Sequence, residues 1–264
     1  QNHMVDMGVN ILTGEKVTGF EGNDGKVSAV KTSAGDIEAD MVILSIGVRP
    51  NTAVAVEAGI ETGAAGAIKV NKYMETNIKD IYAAGDCAEN TNLVTGKPVW
   101  YPMGSTSNKT GRIAGHNAAL VKQDESMKDS LEGVLGTTIV RLFEINAAKT
   151  GLSERDAIRE GYDIETVLVP GNDKAHYFPG NKRIITKLIV DRSTRKVLGA
   201  QIVGEGAADK PIDTIAAAIT LGAKVSDLAK LDLAYAPPFS MAMSTTILSA
   251  NVMMNKLTGR IETV

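Results

Sequence analysis

The sequence contains a single cysteine, Cys87, so no disulfide can form within the chain. Disulfide frameworks are typical of small secreted domains, and the lack of one favours a reducing compartment. No apolar run reaches the ~20 residues that a membrane-spanning helix needs. Residues 1–4 are not the basic stretch that opens a secretory signal. We therefore expect a cytoplasmic protein.

The sequence also lacks a large excess of positive or negative charge. The 28 Lys and Arg residues nearly balance the 31 Asp and Glu residues, which leaves a net charge of −3. This balance gives no broad attraction to nucleic acid or to an anionic membrane, and we expect neither as a partner. The three histidines, His3, His116 and His176, are far apart, so no metal site is expected. The hydrophobic fraction of 44% is ordinary for a folded protein.

The chain opens on a pattern that belongs to the end of a structural element. Residues 1–7 have the pattern of the last turns of a helix, and Gly8 follows in the position of a helix C-cap. Residues 9–12 then show a strand pattern. Because a complete domain rarely begins on the last turn of a helix, we expect this chain to be part of a longer protein.

Short strands are predicted in the first fifty residues. Residues 23–26, Asn-Asp-Gly-Lys, are a hairpin turn signal between the strand patterns of 17–20 and 27–32. Residues 34–36 form a second predicted turn. Residues 40–47 are a continuous apolar run that ends in glycine, which favours a buried parallel strand over a half-exposed one.

The next seventy residues are predicted to mix short strands with two helices. The strands are expected at 68–71 and 81–84, and a short helix at 53–58. A longer helix is expected at 105–122, with N-cap candidates Ser105, Thr106 and Ser107.

A polar stretch at 123–133 is the strongest candidate for a linker, because the composition changes on both sides of it. The sequence after it places strands before helices, which is the α+β order. Ser153 and Asp156 are spaced as a capping box at the start of a further short helix. The strands are predicted at 137–143, 165–169, 183–190 and 196–203, and the three closing helices at 209–221, 225–231 and 240–257.

Two short segments have the residue types that a ligand site needs. In 81–88 a short apolar strand runs into small residues and one acid, Asp86, whose carboxylate can accept hydrogen bonds from ligand hydroxyls. Residues 100–105 precede the predicted long helix, whose N-terminus offers N–H donors and a partial positive charge. On physical grounds alone, a solvated Asp at a turn and an ordinary capped helix are the commoner interpretations.

Taken together, however, these segments form a pattern that resembles the FAD-dependent pyridine nucleotide–disulfide oxidoreductases. The NADH oxidases, NADH peroxidases and coenzyme A-disulfide reductases are the most similar group, and the resemblance extends over essentially the whole chain. Three blocks in the right order are far more specific than any one of them. The blocks are 46–51 (IGVRPN), 81–86 (IYAAGD) and 111–112 (GR), and the later segments 136–140, 148–152, 198–201 and 235–240 agree with the family's dimerisation domain.

The resemblance implies a fold and a domain order. Residues 1–50 are expected to be the end of an inserted NAD(P)-binding domain, and 51–125 the returning segment of the FAD-binding domain. Residues 134–264 are expected to be the C-terminal dimerisation domain. The implied fold is therefore α/β plus α+β, with an incomplete Rossmann-like FAD/NAD(P)-binding portion followed by an α+β dimerisation domain, and the implied assembly is a homodimer.

The resemblance also implies which residues contact the cofactors, FAD and NAD(P)H. Asp86, after Gly85, matches the acid that binds the ribityl chain of FAD through charge-assisted hydrogen bonds. Met103, Gly104 and Ser105 match the segment against the flavin pyrimidine ring, where the helix dipole stabilises developing negative charge. Gly47 matches a backbone position near the nicotinamide cofactor.

Three further residues are implied near the reacting groups. Tyr235 and Tyr177 resemble tyrosines that reach the partner subunit's active site, where a phenol can donate a hydrogen bond to a thiolate or peroxide oxygen. A half-buried tyrosine at a subunit contact is an equally good interpretation of each. Asn108 lies where related reductases can contact the thiol substrate.

The sequence departs from the family pattern in two places. Coenzyme A-disulfide reductases often carry a lysine shortly after the Pro-Pro pair, but residues 241–243 are Met-Ala-Met, which weakens a coenzyme A assignment. The Gly-x-Gly-x-x-Gly fingerprint that binds FAD phosphates is also missing from this chain. In the family, the redox cysteine also lies in the N-terminal part that this chain lacks. Cys87 has no neighbouring cation in sequence that would lower its pKa and activate it.

Two functions follow as alternatives. The first is a part of a flavoprotein oxidoreductase that passes a hydride from NAD(P)H through FAD to a disulfide, peroxide or oxygen acceptor, with this chain alone inactive. The second is an isolated, non-catalytic dimerisation module with an incomplete flavin site. The sequence does not select the acceptor, and it does not distinguish NADH from NADPH.

Overall fold

The computed structural model describes residues 1–120 and 125–260 of the chain. These residues divide into two compact units, Gln1–Val48 and Arg49–Val264.

The first unit is a short helix followed by a small antiparallel sheet. The sheet has the strand order β1-β2-β3. The turn between the first two strands is the predicted one: Asp24 and Gly25 both have positive φ, +51° and +77°, as a two-residue hairpin turn of the mirror-image type requires. The elements are α1 (Asn2–Asp6), β1 (Val17–Asn23), β2 (Lys26–Thr32) and β3 (Gly35–Glu38).

Two strand predictions in this unit are wrong. Residues 9–12 and 40–47 form no strand, and within the described residues no other segment pairs with them in a ladder. The side chain of Ile46 is 90% exposed. A strand needs a hydrogen-bonded neighbour, so an apolar run without such a neighbour forms no strand.

The second unit begins with short elements around a long helix. Three-residue 3₁₀ turns lie at Ala64–Gly66, Gly85–Cys87 and Glu125–Met127. The regular elements are α2 (Ala53–Glu57), β4 (Asn90–Thr91), β5 (Pro98–Val99) and α3 (Gly104–Ala119).

The rest of this unit is a five-stranded antiparallel sheet with helices, in the order β6-β7-β10-β9-β8. The predicted sequence of strands first and helices afterwards is confirmed. The elements are β6 (Thr138–Leu142), β7 (Ile145–Gly151), α4 (Glu154–Arg159), β8 (Ile164–Asn172), β9 (Arg183–Asp191), β10 (Val197–Gly204), α5 (Asp209–Thr220), α6 (Val225–Leu228) and α7 (Thr245–Leu257).

The main core lies between one face of this sheet and the three closing helices. Leu188 of β9, Ile202 of β10, Ile215 of α5 and Met253 of α7 are completely buried in one cluster. Burying each such side chain contributes about 1.5–3 kcal/mol. On the other face α4 covers a smaller cluster around Ile189. The predicted capping box begins α4: the Asp156 amide donates to Ser153 Oγ at 3.1 Å, and Ser153 Oγ donates to Asp156 Oδ2 at 2.6 Å.

Several boundaries differ from the predictions. Residues 68–71 and 81–84 form only isolated bridges: Ile68 pairs with Thr62 and with Ala88, and Tyr82 pairs with Glu75. Helix α7 begins at Thr245 and not at 240, since Ser244 is its N-cap and accepts from the Ile247 amide. The predicted end of the long helix at 121–122 and the first residues of the predicted linker lie outside the described residues.

The described part of the predicted linker is bound to its surroundings. The buried Asn117 side chain donates to the carbonyl oxygens of Tyr73 and Asp129 and accepts from the Asp129 amide. The Leu131 amide donates to the Lys72 carbonyl at 2.9 Å. These bonds fix the C-terminal half of α3 against two neighbouring segments. In the part of the chain that the structure describes, no helix is long and apolar enough to cross a membrane.

Candidate functional site

The turn Gly85–Cys87 is the centre of the site. Gly85 has φ +78°, in the left-handed region that favours glycine. The turn is held from behind by a parallel bridge: the Ile68 amide donates to the Cys87 carbonyl at 2.7 Å, and the Glu89 amide donates to the Ile68 carbonyl at 2.8 Å. The backbone of the turn is thereby fixed while the Asp86 side chain remains exposed.

Two more hydrogen bonds fix the backbone of this turn from the front. The Gly85 amide donates to Thr110 Oγ1 at 3.0 Å, and Thr110 is completely buried in α3. The Trp100 indole N–H donates to the Asp86 carbonyl at 2.7 Å. The main chain of this turn is therefore held by the Thr110 side chain of α3 and by the Trp100 indole.

The Asp86 carboxylate has one contact of its own. Ser107 Oγ donates to Asp86 Oδ1 at 2.6 Å, a length typical of an O–H donor on an ionised acceptor. Within the described residues the second oxygen, Oδ2, accepts no hydrogen bond. An ionised carboxylate has about four lone-pair sites, so this side chain can still accept hydrogen bonds from a ligand's hydroxyl groups.

The N-terminus of α3 is the second part of the site. The helix begins at Gly104, with Met103 in the N-cap position and no side-chain cap. The prediction of Ser105, Thr106 or Ser107 as N-cap is wrong, because all three lie inside the helix. The first N–H groups of a helix lack intrahelical partners and carry a partial positive charge. Gly104 and Ser105 are exposed, so these donors are open to a ligand.

A cavity of about 650 Å³ borders this helix end. It is lined by 103–106 and Lys109 at the start of α3, by 133–139, and by residues of α5 that include Asp209 and Asp213. The predicted segment Met103–Gly104–Ser105 therefore lines a concave region large enough for part of an organic cofactor.

The two predicted tyrosines meet in a second place. Tyr177 and Tyr235 lie on separate loops, and their phenol groups are close enough for one to affect the pKa of the other. The nearby Tyr235 hydroxyl is the main cause that raises the pKa of Tyr177 above its usual value of 10.0. The His176 ring meets the Tyr177 ring edge-on, with centroids 5.3 Å apart. Both tyrosines are at least half exposed, so the pair presents phenol groups at the surface.

The remaining predicted residues are placed as follows. Asn108 is exposed on α3, one residue after Ser107. Gly47 has φ +96° and is exposed near the end of the first unit. The Cys87 thiol lies 3.3 Å from the Ala84 carbonyl and is half-buried.

Sequence reasoning missed the residues that hold the acid. Ser107, Thr110 and Trp100 are 14 to 25 residues from their partners in the turn. No local pattern marks a contact of that separation. The sequence shows only that hydroxyl residues cluster at the start of the predicted helix, and this pattern indicates an N-cap.

A seated acid, an open helix N-terminus and an α+β domain with a five-stranded antiparallel sheet are together typical of a nucleotide-cofactor oxidoreductase with an attached assembly domain. Comparison with known families agrees. The family model described as pyridine nucleotide-disulphide oxidoreductase matches residues 1–120, and the model of that family's dimerisation domain matches residues 137–247. The chain belongs to the pyridine nucleotide–disulphide oxidoreductase family. The predicted fold, a Rossmann-like portion followed by a dimerisation domain, is confirmed.

Individual relatives extend this finding. The chain is 40% identical over 245 residues to a NAD(P)H sulfur oxidoreductase (CoA-dependent) of Pyrococcus furiosus, which covers 93% of this chain and 54% of the relative. It is 32% identical over 263 residues to an NADH oxidase of Methanocaldococcus jannaschii, covering 98% of this chain and 56% of the relative. The chain spans about half the length of the curated relatives it matches.

Among solved structures, the NAD-dependent persulfide reductase from A. fulgidus superposes with a TM-score of 0.92 at 40% sequence identity. The match covers 100% of this chain and 48% of that chain. The likeness therefore includes both units of this chain, and each similar protein is again about twice as long.

Proposed function

We propose that this chain is part of a flavoprotein oxidoreductase that passes a hydride from NAD(P)H through FAD to a disulfide, peroxide or oxygen acceptor. The observation that carries the proposal is the seating of Asp86 on the first turns of α3, whose N-terminus has no side-chain cap. The alternative of a non-catalytic dimerisation module gains no support, because the relatives described above are all oxidoreductases.

The domain assignment is part of the same proposal. Residues 1–50 are the end of an NAD(P)-binding domain, 51–125 a segment of the FAD-binding domain, and 134–264 the dimerisation domain. The family matches to 1–120 and 137–247 support a division between the second and third of these. The compact unit Gln1–Val48 supports a division near residue 50.

The residues present fit a flavin. Asp86 has an exposed carboxylate with an available oxygen for the hydroxyls of a ribityl chain, next to Gly85. Met103, Gly104 and Ser105 offer the open N–H donors of α3 where negative charge develops on an electron-rich ring. When bound, FAD supplies the hydride and electron transfer chemistry, while the protein supplies orientation and electrostatics.

Three other residues have roles in the proposal that rest on the family resemblance. Gly47, with its positive φ, lies near the nicotinamide of NAD(P)H. Asn108 contacts the thiol substrate. Tyr177 and Tyr235 act as hydrogen-bond donors to a thiolate or peroxide oxygen. A phenol with the usual pKa of about 10 keeps its proton at neutral pH, and the nearby Tyr235 raises the pKa of Tyr177 further, so this hydroxyl group can donate a hydrogen bond.

The acceptor follows from the relatives only as a class. One is named for sulfur, one for NADH oxidation and one for persulfide, so a sulfur–sulfur bond or oxygen is the substrate class we propose. Cys87 is not the nucleophile in this scheme, because its half-buried thiol already contacts the Ala84 carbonyl. The redox cysteine belongs to the part of the relatives that this chain does not match.

We further propose a cytoplasmic homodimer. The dimerisation-domain match supports the assembly. Helix α7 packs within its own chain, where Met253 is completely buried. Large exposed apolar side chains remain at Leu221, Phe239 and Met243, and such residues are common at subunit contacts. The single cysteine supports the location.

The first experiment is an intact mass with a visible absorption spectrum, followed by FAD titration. We expect the chain of 264 residues alone to be colourless and dimeric, and the longer protein that contains it to be yellow and to bleach with NADH or NADPH. In the yellow protein, D86A should weaken FAD binding roughly 10- to 100-fold, since it removes hydrogen bonds to a charged acceptor.

The matched control is D36A, which removes an exposed carboxylate from β3 of the first unit. It should leave FAD affinity unchanged. A longer protein without a flavin band, or a D86A variant that binds FAD as tightly as the wild type, would contradict the proposal. A yellow isolated chain would contradict the expectation that this part is insufficient for binding.

A further inference from the structure

The Ser107 hydroxyl group bonds outside its own helix. Ser107 lies in the first turn of α3, but Met103 occupies the N-cap position and no side chain caps the helix. Its amide donates to the Met103 carbonyl at 2.8 Å in the helix ladder. The hydroxyl group is therefore not needed by the helix, and it bonds instead to Asp86 Oδ1 at 2.6 Å.

We propose that Ser107 is a positioning residue for the cofactor: its hydroxyl group holds the Asp86 carboxylate in the orientation that presents the second oxygen to a ribityl hydroxyl. The inference rests on the function proposed above, which gives Asp86 its ligand. It adds a residue to which the family resemblance assigns no role.

The backbone contacts separate this role from a general structural one. Gly85 is held by Thr110, and the Asp86 carbonyl is held by Trp100. Neither bond involves the Ser107 side chain. Removing the Ser107 hydroxyl should therefore leave the turn in place and release only the rotation of the Asp86 side chain about its own bonds.

The energetic reason is preorganisation. Asp86 is exposed, and an exposed carboxylate otherwise rotates among several orientations in water. A side chain that must be ordered when a ligand binds weakens the affinity by roughly 2- to 10-fold. A hydroxyl group that orders it beforehand removes this cost, and it leaves Oδ2 and its lone pairs for the ligand.

The test compares alanine and threonine variants of Ser107 in the flavin-loaded protein. S107A should raise the FAD dissociation constant by about 3- to 10-fold and accelerate flavin release. The melting temperature of the flavin-free protein should not change. S107T, which keeps a hydroxyl group on the same Cβ, should restore the affinity. The control is S33A, which removes another exposed serine–carboxylate bond, from Ser33 Oγ to Glu15 Oε2 at 2.8 Å; it should leave FAD binding unchanged.

A double-mutant cycle distinguishes the inference from the proposed function. If Ser107 acts through Asp86, S107A should weaken FAD binding in the wild-type background and have no further effect in D86A. An equal effect of S107A in both backgrounds would mean a direct contact with the ligand and would overturn the inference. If D86A weakens binding and S107A does not, the inference alone fails. If D86A itself has no effect, the proposed role of Asp86 fails first.

Discussion

Two segments that the sequence predicts as strands have opposite environments in this protein. Residues 40–47 form no strand, and Ile46 is 90% exposed. Residues 183–190 form most of β9, where Ile184 is 1% exposed and Leu188 is completely buried. Strand β9 is hydrogen bonded to β8 on one side and to β10 on the other. The described residues contain no such neighbours for 40–47.

The comparison shows that the structure of an apolar segment depends on its neighbours as well as on its own residues. An apolar run indicates that a segment is suited to burial, but burial needs partner strands and covering helices. Strand β9 has its partner strands in β8 and β10 and its covering helices in α5 and α7. All four elements lie within about 20 residues before β9 or about 75 residues after its start. The prediction for 40–47 was wrong because it supplied partners that the described chain does not contain.

The largest effect should come from the buried segment. L188A deletes a completely buried side chain from the cluster between the sheet and the closing helices. We expect a loss of about 2–5 kcal/mol in the free energy of unfolding, through lost burial and the cavity that remains. Urea denaturation followed by circular dichroism measures it.

The matched control for that variant is L168A on the neighbouring strand. Leu168 is 67% exposed, and it lies opposite Lys187 on the other face of the same sheet. Its removal should cost less than about 1 kcal/mol. Equal losses in the free energy of unfolding for L188A and L168A would contradict the burial of Leu188 in the main core.

An intermediate effect should come from the charged cluster at the edge of the same sheet. Glu165 of β8 is 8% exposed and pairs with Lys256 of α7 and with Arg192. Burial alone would raise the pKa of Glu165, but hydrogen bonds from Lys256 and the Thr166 amide and the two positive charges outweigh it, so the pKa is lowered.

Since the folded-state pKa is the lower one, this carboxylate stabilises the fold above its unfolded value of 4.5, and the contribution is lost as the pH falls through the folded value. E165Q should cost about 1–2 kcal/mol at pH 7, and much less at a pH below both values. The measurement is urea denaturation from pH 7 to pH 3. E38Q, on exposed Glu38 of β3, is the control; a pH-independent effect of E165Q would argue against the ion pairs.

A smaller effect is expected at the start of α4, which covers the other face of the sheet. S153A removes the side chain that accepts from the Asp156 amide and donates to its carboxylate. N-cap replacements of this kind cost about 1 kcal/mol. S153T keeps the hydroxyl group and should retain most of the stability by thermal denaturation. If S153A melts with the wild type, the capping box contributes nothing.

The sequence predicted this capping box, the 24–25 hairpin turn and the strands β9 and β10, because each depends on residues close together in the chain. The family resemblance places a cofactor site at Asp86 and at the segment from Met103 to Ser105, and this assignment stays a prediction. Sequence reasoning missed Ser107 as a partner of that acid, since the two residues are 21 positions apart. A hydroxyl residue near a helix start has two possible uses, and only the fold decides between a cap and a contact.

The smallest effect should come from the exposed segment, and it tests the comparison most directly. I46A and I184A delete the same atoms from two apolar runs, but Ile46 is almost fully exposed and Ile184 is buried in the main core. In the chain of 264 residues, I46A should change the free energy of unfolding by less than about 0.5 kcal/mol. I184A should cost about 2–5 kcal/mol. Hydrogen exchange should agree, with fast exchange of the unpaired amides of 40–47 and strong protection in β9. A large loss in I46A, or protected amides in 40–47, would mean that a strand partner covers this segment after all.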